Sequence, residues 1–525
     1  MRKALVCAAA ITSIAGVAHA DELSDLKAQS VQLQQQNQML IQRLSQLEQR
    51  QQTLEATQAQ QAQQAAQQPA AVADTGPKFP ADDGSLTWHG VTLYGTVDMG
   101  ATYINHGEPL NNSYPPGYDD IIVGAKAANK SYFGITPNNF STSKLGVKGT
   151  EDLIGGWSGV FKLETGFNPF SGEIADGLKS EVEQNGVPLA KQTGWGDSTR
   201  AGQIFQGGAY AGLSHPVYGT ITAGRQNSLD WDLAQKYDPA YATNLSLLGY
   251  SGTPAGGGDT EDRVLDNTLK YTNHIGPVHG SILYGFSESN GVGHAWQGNV
   301  GAEYMHASID GTYSHITDAI SASPLTTNAT GALSSAQIAA LALGGFSENN
   351  TVAATVSDNT AWQVAVLYDM GAPKFYAGYE RISYANPSDP LTTKGFVDGL
   401  GVDNTIGGYD ILTNNAAFPR DKVLDVYWTG MRYAFTPDFE TAIGYYRENQ
   451  NNYSTEKALA GCSNRYVSSQ CSGNFSSVDL SADWKLTKRL DAYAALVWSE
   501  VAGGVANGYL NNNTWGPTVG ARFNF

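Results

Sequence analysis

The sequence predicts an all-β protein: a 16-stranded antiparallel transmembrane β-barrel preceded by a periplasmic α-helical coiled coil. Two observations carry the prediction. In the terminal strand, Trp515, Pro517, Val519, Ala521, Phe523 and Phe525 alternate with Thr518, Gly520, Arg522 and Asn524. Successive strand residues point to opposite faces, so one face of this ribbon is oily and the other wet. The second observation is negative: past the leader, no window approaches the roughly 20 continuous apolar residues of a membrane-spanning helix. Insertion then proceeds through strands, and only a closed barrel satisfies strand backbone groups in hydrocarbon.

The first element is an export signal, residues 1–20. Arg2 and Lys3 precede the apolar stretch Ala4 to Val17, and Ala18-His19-Ala20 forms a small-x-small cleavage site before Asp21. The formal charge of -18 becomes -20 once Arg2 and Lys3 leave, an acid excess that argues against nucleic acid as a partner. Cys7 leaves with the leader, and Cys462 and Cys471 remain in a polar segment. An even pair in an exported chain points to a small disulfide loop, two free thiols being the alternative. No histidine lies near that pair, and the other histidines lack ligand spacing, so neither a metal nor a cofactor is expected.

Residues 21–58 read as a coiled coil. Leu26, Leu33, Leu40, Leu47 and Leu54 recur every seven residues as d positions, with Leu23, Ser30, Asn37, Leu44 and Gln51 at a. Glu22, Arg43 and Arg50 at g are opposite in sign to Lys27, Glu48 and Glu55 at the e positions five residues on. In a parallel in-register homo-oligomer these pairs would meet between chains and disfavour slipped registers. A single solvated helix is the plainer alternative. Residues 59–86, rich in Ala and Gln with Pro69, Pro77 and Pro80, read as a tether.

The barrel occupies residues 87–525. Strands are expected near 88–105, 141–152, 157–168, 201–213, 217–225, 263–273, 277–288, 296–306, 309–317, 360–370, 373–384, 423–435, 437–448, 475–487, 489–500 and 514–525. Short and long connections alternate between them, which fits periplasmic turns and extracellular loops. Alternation is clear where Phe161 and Leu163 oppose Lys162 and Glu164, and where Val478, Leu480, Ala482 and Trp484 oppose Asp479, Ser481 and Asp483. Residues 423–435 alternate poorly and leave their facing open.

Several runs resemble the general trimeric porins of Gram-negative outer membranes, of the Neisseria and Burkholderia type. They are Gly90-Val-Thr-Leu-Tyr-Gly-Thr-Val-Asp98, Ser143-Lys-Leu-Gly-Val-Lys-Gly-Thr-Glu-Asp-Leu153, Phe161-Lys-Leu-Glu-Thr-Gly-Phe167, Ala209-Tyr-Ala-Gly-Leu213, Tyr218-Gly-Thr-Ile-Thr-Ala-Gly-Arg-Gln226, Arg263 to Tyr271 and the final Phe525. The resemblance implies a homotrimer in outer-membrane lipid, passive diffusion of small hydrophilic solutes and ions, and a third loop folded inward. It departs from the family pattern in its coiled-coil extension, which also occurs in a sucrose-specific type. It departs again at Gly207 and Gly208, where a basic residue is usual.

Selectivity in such a pore comes from charges facing one another across its narrowest part. The third loop supplies a candidate acidic row: Asp230, Asp232, Asp238, Asp259, Glu261 and Asp262. The basic wall opposite would hold Lys144, Lys148, Lys162, Arg225, Arg263 and Lys270. Arg225 shares the parity of Ile221 and Ala223, so it reaches the lumen only through a bulge or from above the lipid. Excess acid predicts mild cation preference. An enzyme is not expected, since no Gly-x-Ser-x-Gly elbow is present. Two other readings are a sugar-specific channel, with Tyr94, Tyr376, Tyr446 and Tyr493 on the lumen side, and an anchor whose coil binds the cell wall.

Overall fold

Alternating ribbons leave no unpaired edge only if the last strand finds the first, and here it does. The computed structural model describes residues 86–106, 131–170, 172, 204–205, 207–248, 263–286, 294–324, 351–388, 396–397, 410–414, 418–455, 470–506 and 511–525. The expected leader, coil and tether lie outside the described residues, as do Asp259, Glu261, Asp262 and Cys462.

The described residues form twenty strands and one longer helix. The strands are β1 (Leu86–Trp88), β2 (Val91–Ile104), β3 (Tyr132–Pro137), β4 (Lys144–Asp152), β5 (Ser158–Gly166), β6 (Gly208–His215), β7 (Gly219–Asn227), β8 (Val264–Ile275), β9 (Val278–Gly285) and β10 (Ala295–Tyr304). They continue with β11 (Ala307–Pro324), β12 (Thr351–Asp369), β13 (Pro373–Ala385), β14 (Phe396–Val397), β15 (Asp410–Asn414), β16 (Lys422–Thr436), β17 (Phe439–Gln450), β18 (Gly473–Lys485), β19 (Leu490–Gly503) and β20 (Asn513–Asn524). Helix α1 spans Leu229–Tyr237.

Sixteen antiparallel lanes close the barrel, because four of the twenty strands add no lane of their own. β3 and β4 share one lane, pairing with the upper and lower halves of β2. β20 pairs with Thr96–Thr102 of β2, and β1 continues that lane by pairing Leu86 with Leu93. β14 and β15 form a hairpin off the ring, and β15 runs parallel to Thr351–Thr355 of β12.

The structure corrects the sequence reading in three places. Residues 132–137, expected in a loop, extend the second lane. The break after Pro137 is held by Asp98, whose Oδ2 accepts from the Phe140 and Ser141 backbone N–H groups at 3.1 and 2.6 Å. β11 and β12 pair well beyond the expected 309–317 and 360–370, from Ala307–Tyr368 to Pro324–Val352 past an irregularity after Ile316. Their far ends do alternate, Ile320 and Ala322 with Ser321 and Ser323, and Val352, Ala354 and Val356 with Thr351, Thr355 and Ser357, but the expected strands leave this stretch to the connection 318–359. Third, the connection 385–421 contains β14 and β15, too short to show a period.

Leu145, Leu213, Ile282, Val300, Ile309, Val364, Ile443, Leu480 and Val519 are all exposed on the outer surface. Each such side chain left in water rather than buried costs about 1.5–3 kcal/mol, so this band requires hydrocarbon. The packed interior is one-sided: Leu424, Val426 and Trp428 of β16 are buried inside while Tyr427 is exposed outside. Apolar residues on both faces explain the weak alternation of 423–435: this stretch of wall is covered from within by the loop after β7.

Candidate pore constriction

The loop after β7 begins with a capped helix. Ser228 has extended backbone and its Oγ accepts the Trp231 N–H at 3.1 Å, satisfying one of the unpaired donors of the first turn. Asp230 and Asp232 stand in the first turn and Lys236 in the last, the arrangement that the helix dipole favours. The helix lies against the inner wall through one apolar stripe. Leu229 joins Leu265, Leu283, Ala295 and Ile316, whereas Leu233, Ala234 and Tyr237 pack with Ala365, Val426 and Trp428. Beyond the helix, Leu245, Leu247 and Leu248 belong to the same buried cluster as Ile104, Phe140 and Val497. The loop therefore spans the interior from the β10 side to the β2 side.

Directional bonds fix it there. Leu229 N–H donates to Gln297 Oε1 at 2.7 Å, and Gln297 Nε2 donates to Asp230 Oδ2 at 2.7 Å. Trp428 Nε1 donates to the Tyr237 carbonyl at 3.1 Å, and Arg432 Nε donates to the Pro239 carbonyl. Lys236 Nζ reaches Glu303 at 2.6 Å and Asp310 at 3.0 Å. At Gly430 a Cβ would fall 2.5 Å from Pro239 Cγ, so only glycine lets the loop approach the wall this closely.

The acidic row expected from sequence divides. Asp230 and Asp238 are buried and face the wall rather than the lumen. Asp238 accepts from the Ala240 and Ala242 N–H groups at 3.1 and 2.6 Å and from the Tyr446 hydroxyl at 2.5 Å, so it folds the loop and anchors it. Asp230 binds Gln297 through one oxygen, while its Oδ1 has no partner among the described residues. Burial pushes its acid up to about 7 and raises that of Asp238 as well, both lying on the loop and not in a spanning strand. Among the described acids of the row, Asp232 alone is partly exposed, and it pairs with Lys270 of β8.

The bases divide less. Lys144 and Lys148 of β4 and Lys162 of β5 share the inner face, with Lys148 directly opposite Lys162. Glu164 lies among them, 3.7 Å from Lys144 Nζ, 3.2 Å from Lys162 Nζ and 2.9 Å from the Tyr94 hydroxyl. Lys148 Nζ stands 5.3 Å from the centre of the Tyr94 ring. Arg263 covers Trp231 of the helix at 5.2 Å.

Arg225 is a correction. The irregularity between β7 and β8 puts the additional residue in β8, near Asn267, so Arg225 keeps the outward parity of Ile221 and Ala223. It pairs with Asp266 at 2.6 Å instead of joining the lysine wall. Cys471 is disulfide-bonded, and its expected partner Cys462 lies outside the described residues.

Sequence reasoning missed Glu164 as a site residue although its parity with Lys162 was legible. The signal was Gly207: a Cβ there would meet Glu164 Oε1 at 2.5 Å, so the glycine that replaces a basic residue makes room for this carboxylate. It also missed Gln297, Trp428 and Arg432, whose roles exist only because the loop lies on them. Tyr376, Tyr446 and Tyr493 are buried, so they form no open aromatic path for a sugar.

The described residues thus form a closed barrel with an apolar outside, a polar wall inside and a loop fixed across the interior. The sequence matches a family described as Gram-negative porin over residues 4–399. The chain belongs to that family. The porin is 27% identical over 247 residues to an outer membrane porin protein of Bordetella pertussis, covering 42% of this chain and 60% of that protein. It is 27% identical over 219 residues to "Outer membrane porin protein 32" of Delftia acidovorans, covering 41% of this chain and 49% of that one. The matched regions thus span about half to three fifths of these relatives. Among solved structures, the anion-selective porin from Comamonas acidovorans is similar with a TM-score of 0.51 at 19% identity, over 83% of this chain and 99% of that one. At that identity the likeness concerns the fold.

Proposed function

We propose that this porin forms a homotrimeric, water-filled channel of the outer membrane through which ions and small hydrophilic solutes diffuse passively. The loop after β7 is its constriction. The observation that carries this reading is the helix fixed inside the ring, with Asp232 joined to Lys270 and the Lys144, Lys148 and Lys162 wall beside it. Residues 1–20 act as the leader. Residues 21–58 join the three chains as a periplasmic coil in reach of the cell wall, and residues 59–86 tether it to the barrel. The even number of lanes supports this side for both termini.

The expected cation preference rested on the excess of acid over base in the row Asp230, Asp232, Asp238, Asp259, Glu261 and Asp262, together with the missing basic rung at Gly207 and Gly208. Two of those carboxyls are buried against the wall. Among the described residues of this region, Lys144, Lys148, Lys162 and Lys270 stand against Glu164 and Asp232, while Lys236 is matched by Glu303 and Asp310, a balance that supports weak anion preference instead. Reversal potentials of the purified full chain in a planar bilayer under a KCl gradient test both statements. A conducting channel with an anion-favouring sign is expected. Absence of current would reject the channel, and a cation-favouring sign would reject the selectivity.

A further inference from the structure

Between α1 and the wall lies a cavity of about 10 Å³, the space of one water, lined by Asp230, Trp231, Ala234, Leu248, Gln363, Glu380 and Trp428. Two carboxyl-bearing residues line it, and both are almost wholly buried, Asp230 at 3% and Glu380 at 2% exposure. Glu380 Oε1 accepts from Gln363 Nε2 at 2.6 Å, while Gln363 Oε1 and Asp230 Oδ1 have no partner among the described residues.

Four strands and the helix itself face this pair. β10 contributes Gln297, β11 Ser314, β12 Gln363 and β16 Trp428, and the helix adds Asp232. None of these is a base; the bases around the helix are engaged elsewhere, Lys270 with Asp232, Lys236 with Glu303 and Asp310, and Arg263 over Trp231, and Asp230 and Glu380 repel each other when ionised. Two neighbouring buried carboxylates with no base among the described residues lining the cavity are not both sustained, because desolvation costs several kcal/mol per ion. The site therefore holds protons when the helix is docked.

We propose that the constriction helix is a proton-dependent latch: protonated Asp230 and Glu380 let it lie on the wall, and their ionisation releases it into the lumen. This rests on the channel reading above. The sign follows from the acid that burial raises. In a released loop Asp230 would ionise near its ordinary value of about 4, whereas docked it ionises near 7. Docking is at full strength below about pH 4 and weakens by up to about tenfold for each pH unit as pH rises towards the docked value. Above that it stays weak.

Single-channel recording of the full chain at pH 5 and pH 8 tests the latch. The expected result is a quiet open level at pH 5 and, at pH 8, brief partial closures at least about tenfold more frequent. Asp230→Asn and Glu380→Gln keep size and hydrogen bonding but cannot ionise. The double variant should show the same low closure frequency at both pH values. Equal closure frequencies in the unmodified chain at the two pH values would overturn the latch, as would an undiminished rise in the double variant. Closures provoked at pH 5 by EDTA would overturn it too, since a cation and not a proton would then hold the carboxyls. A chain that gives no current at any pH refutes the channel reading, whereas a steady channel without pH dependence refutes the latch alone.

Discussion

At the scale of single residues, a carboxylate's role is decided by what stands on its other side. Asp230, Asp232 and Asp238 lie close together in the chain, yet one is coupled to a lysine and two are buried in the wall. Asp232→Asn should release Lys270 from its partner and shift the reversal potential further towards anions; an unchanged potential would separate Asp232 from the ion path. Glu164 neutralises part of the lysine wall through Lys144 and Lys162. Glu164→Gln should move selectivity in the same direction. Combined with Asp232→Asn, the two shifts are expected to fall short of full additivity, because both carboxylates act on Tyr210 between them.

At the scale of elements, the constriction helix has nine residues, too short to be stable alone, so its shape depends on its cap and on the wall. Ser228→Ala removes the Oγ that receives the Trp231 N–H and should cost about 1 kcal/mol. Open-channel current noise is the sensitive reporter, and it should rise while unitary conductance changes little. Trp428 both packs beneath the loop and donates to the Tyr237 carbonyl. Trp428→Ala should cost about 3–5 kcal/mol and lower the thermal midpoint of the detergent-solubilised barrel. A midpoint equal to that of the parent would mean that the loop does not depend on this contact.

At the scale of the whole molecule, the described residues suffice to close the ring, since β20 pairs directly with β2 over Thr96–Thr102. Deleting residues 21–80 behind an intact leader is therefore expected to leave unitary conductance unchanged in planar bilayers. If the coil joins the chains, crosslinking of the deleted form should recover fewer trimers. Loss of the folded barrel itself would instead assign the extension to assembly.

Lane number, strand order and the inward or outward sense of most side chains were legible in the sequence because hydrocarbon imposes a strict two-residue period on every strand that meets it. That period also showed Lys144, Lys148 and Lys162 as one wall, and warned that Arg225 faced the wrong way. It had too few residues to show in β15, and it faded in β16, where the loop makes the inner face apolar too. The fate of the acidic row was decided only by tertiary structure. A loop has no periodicity, so which of its carboxyls turns to water depends on residues such as Gln297, Trp428 and Tyr446. These stand 67 to 208 positions from the loop residues they bind, and only the closed barrel brings them beneath it.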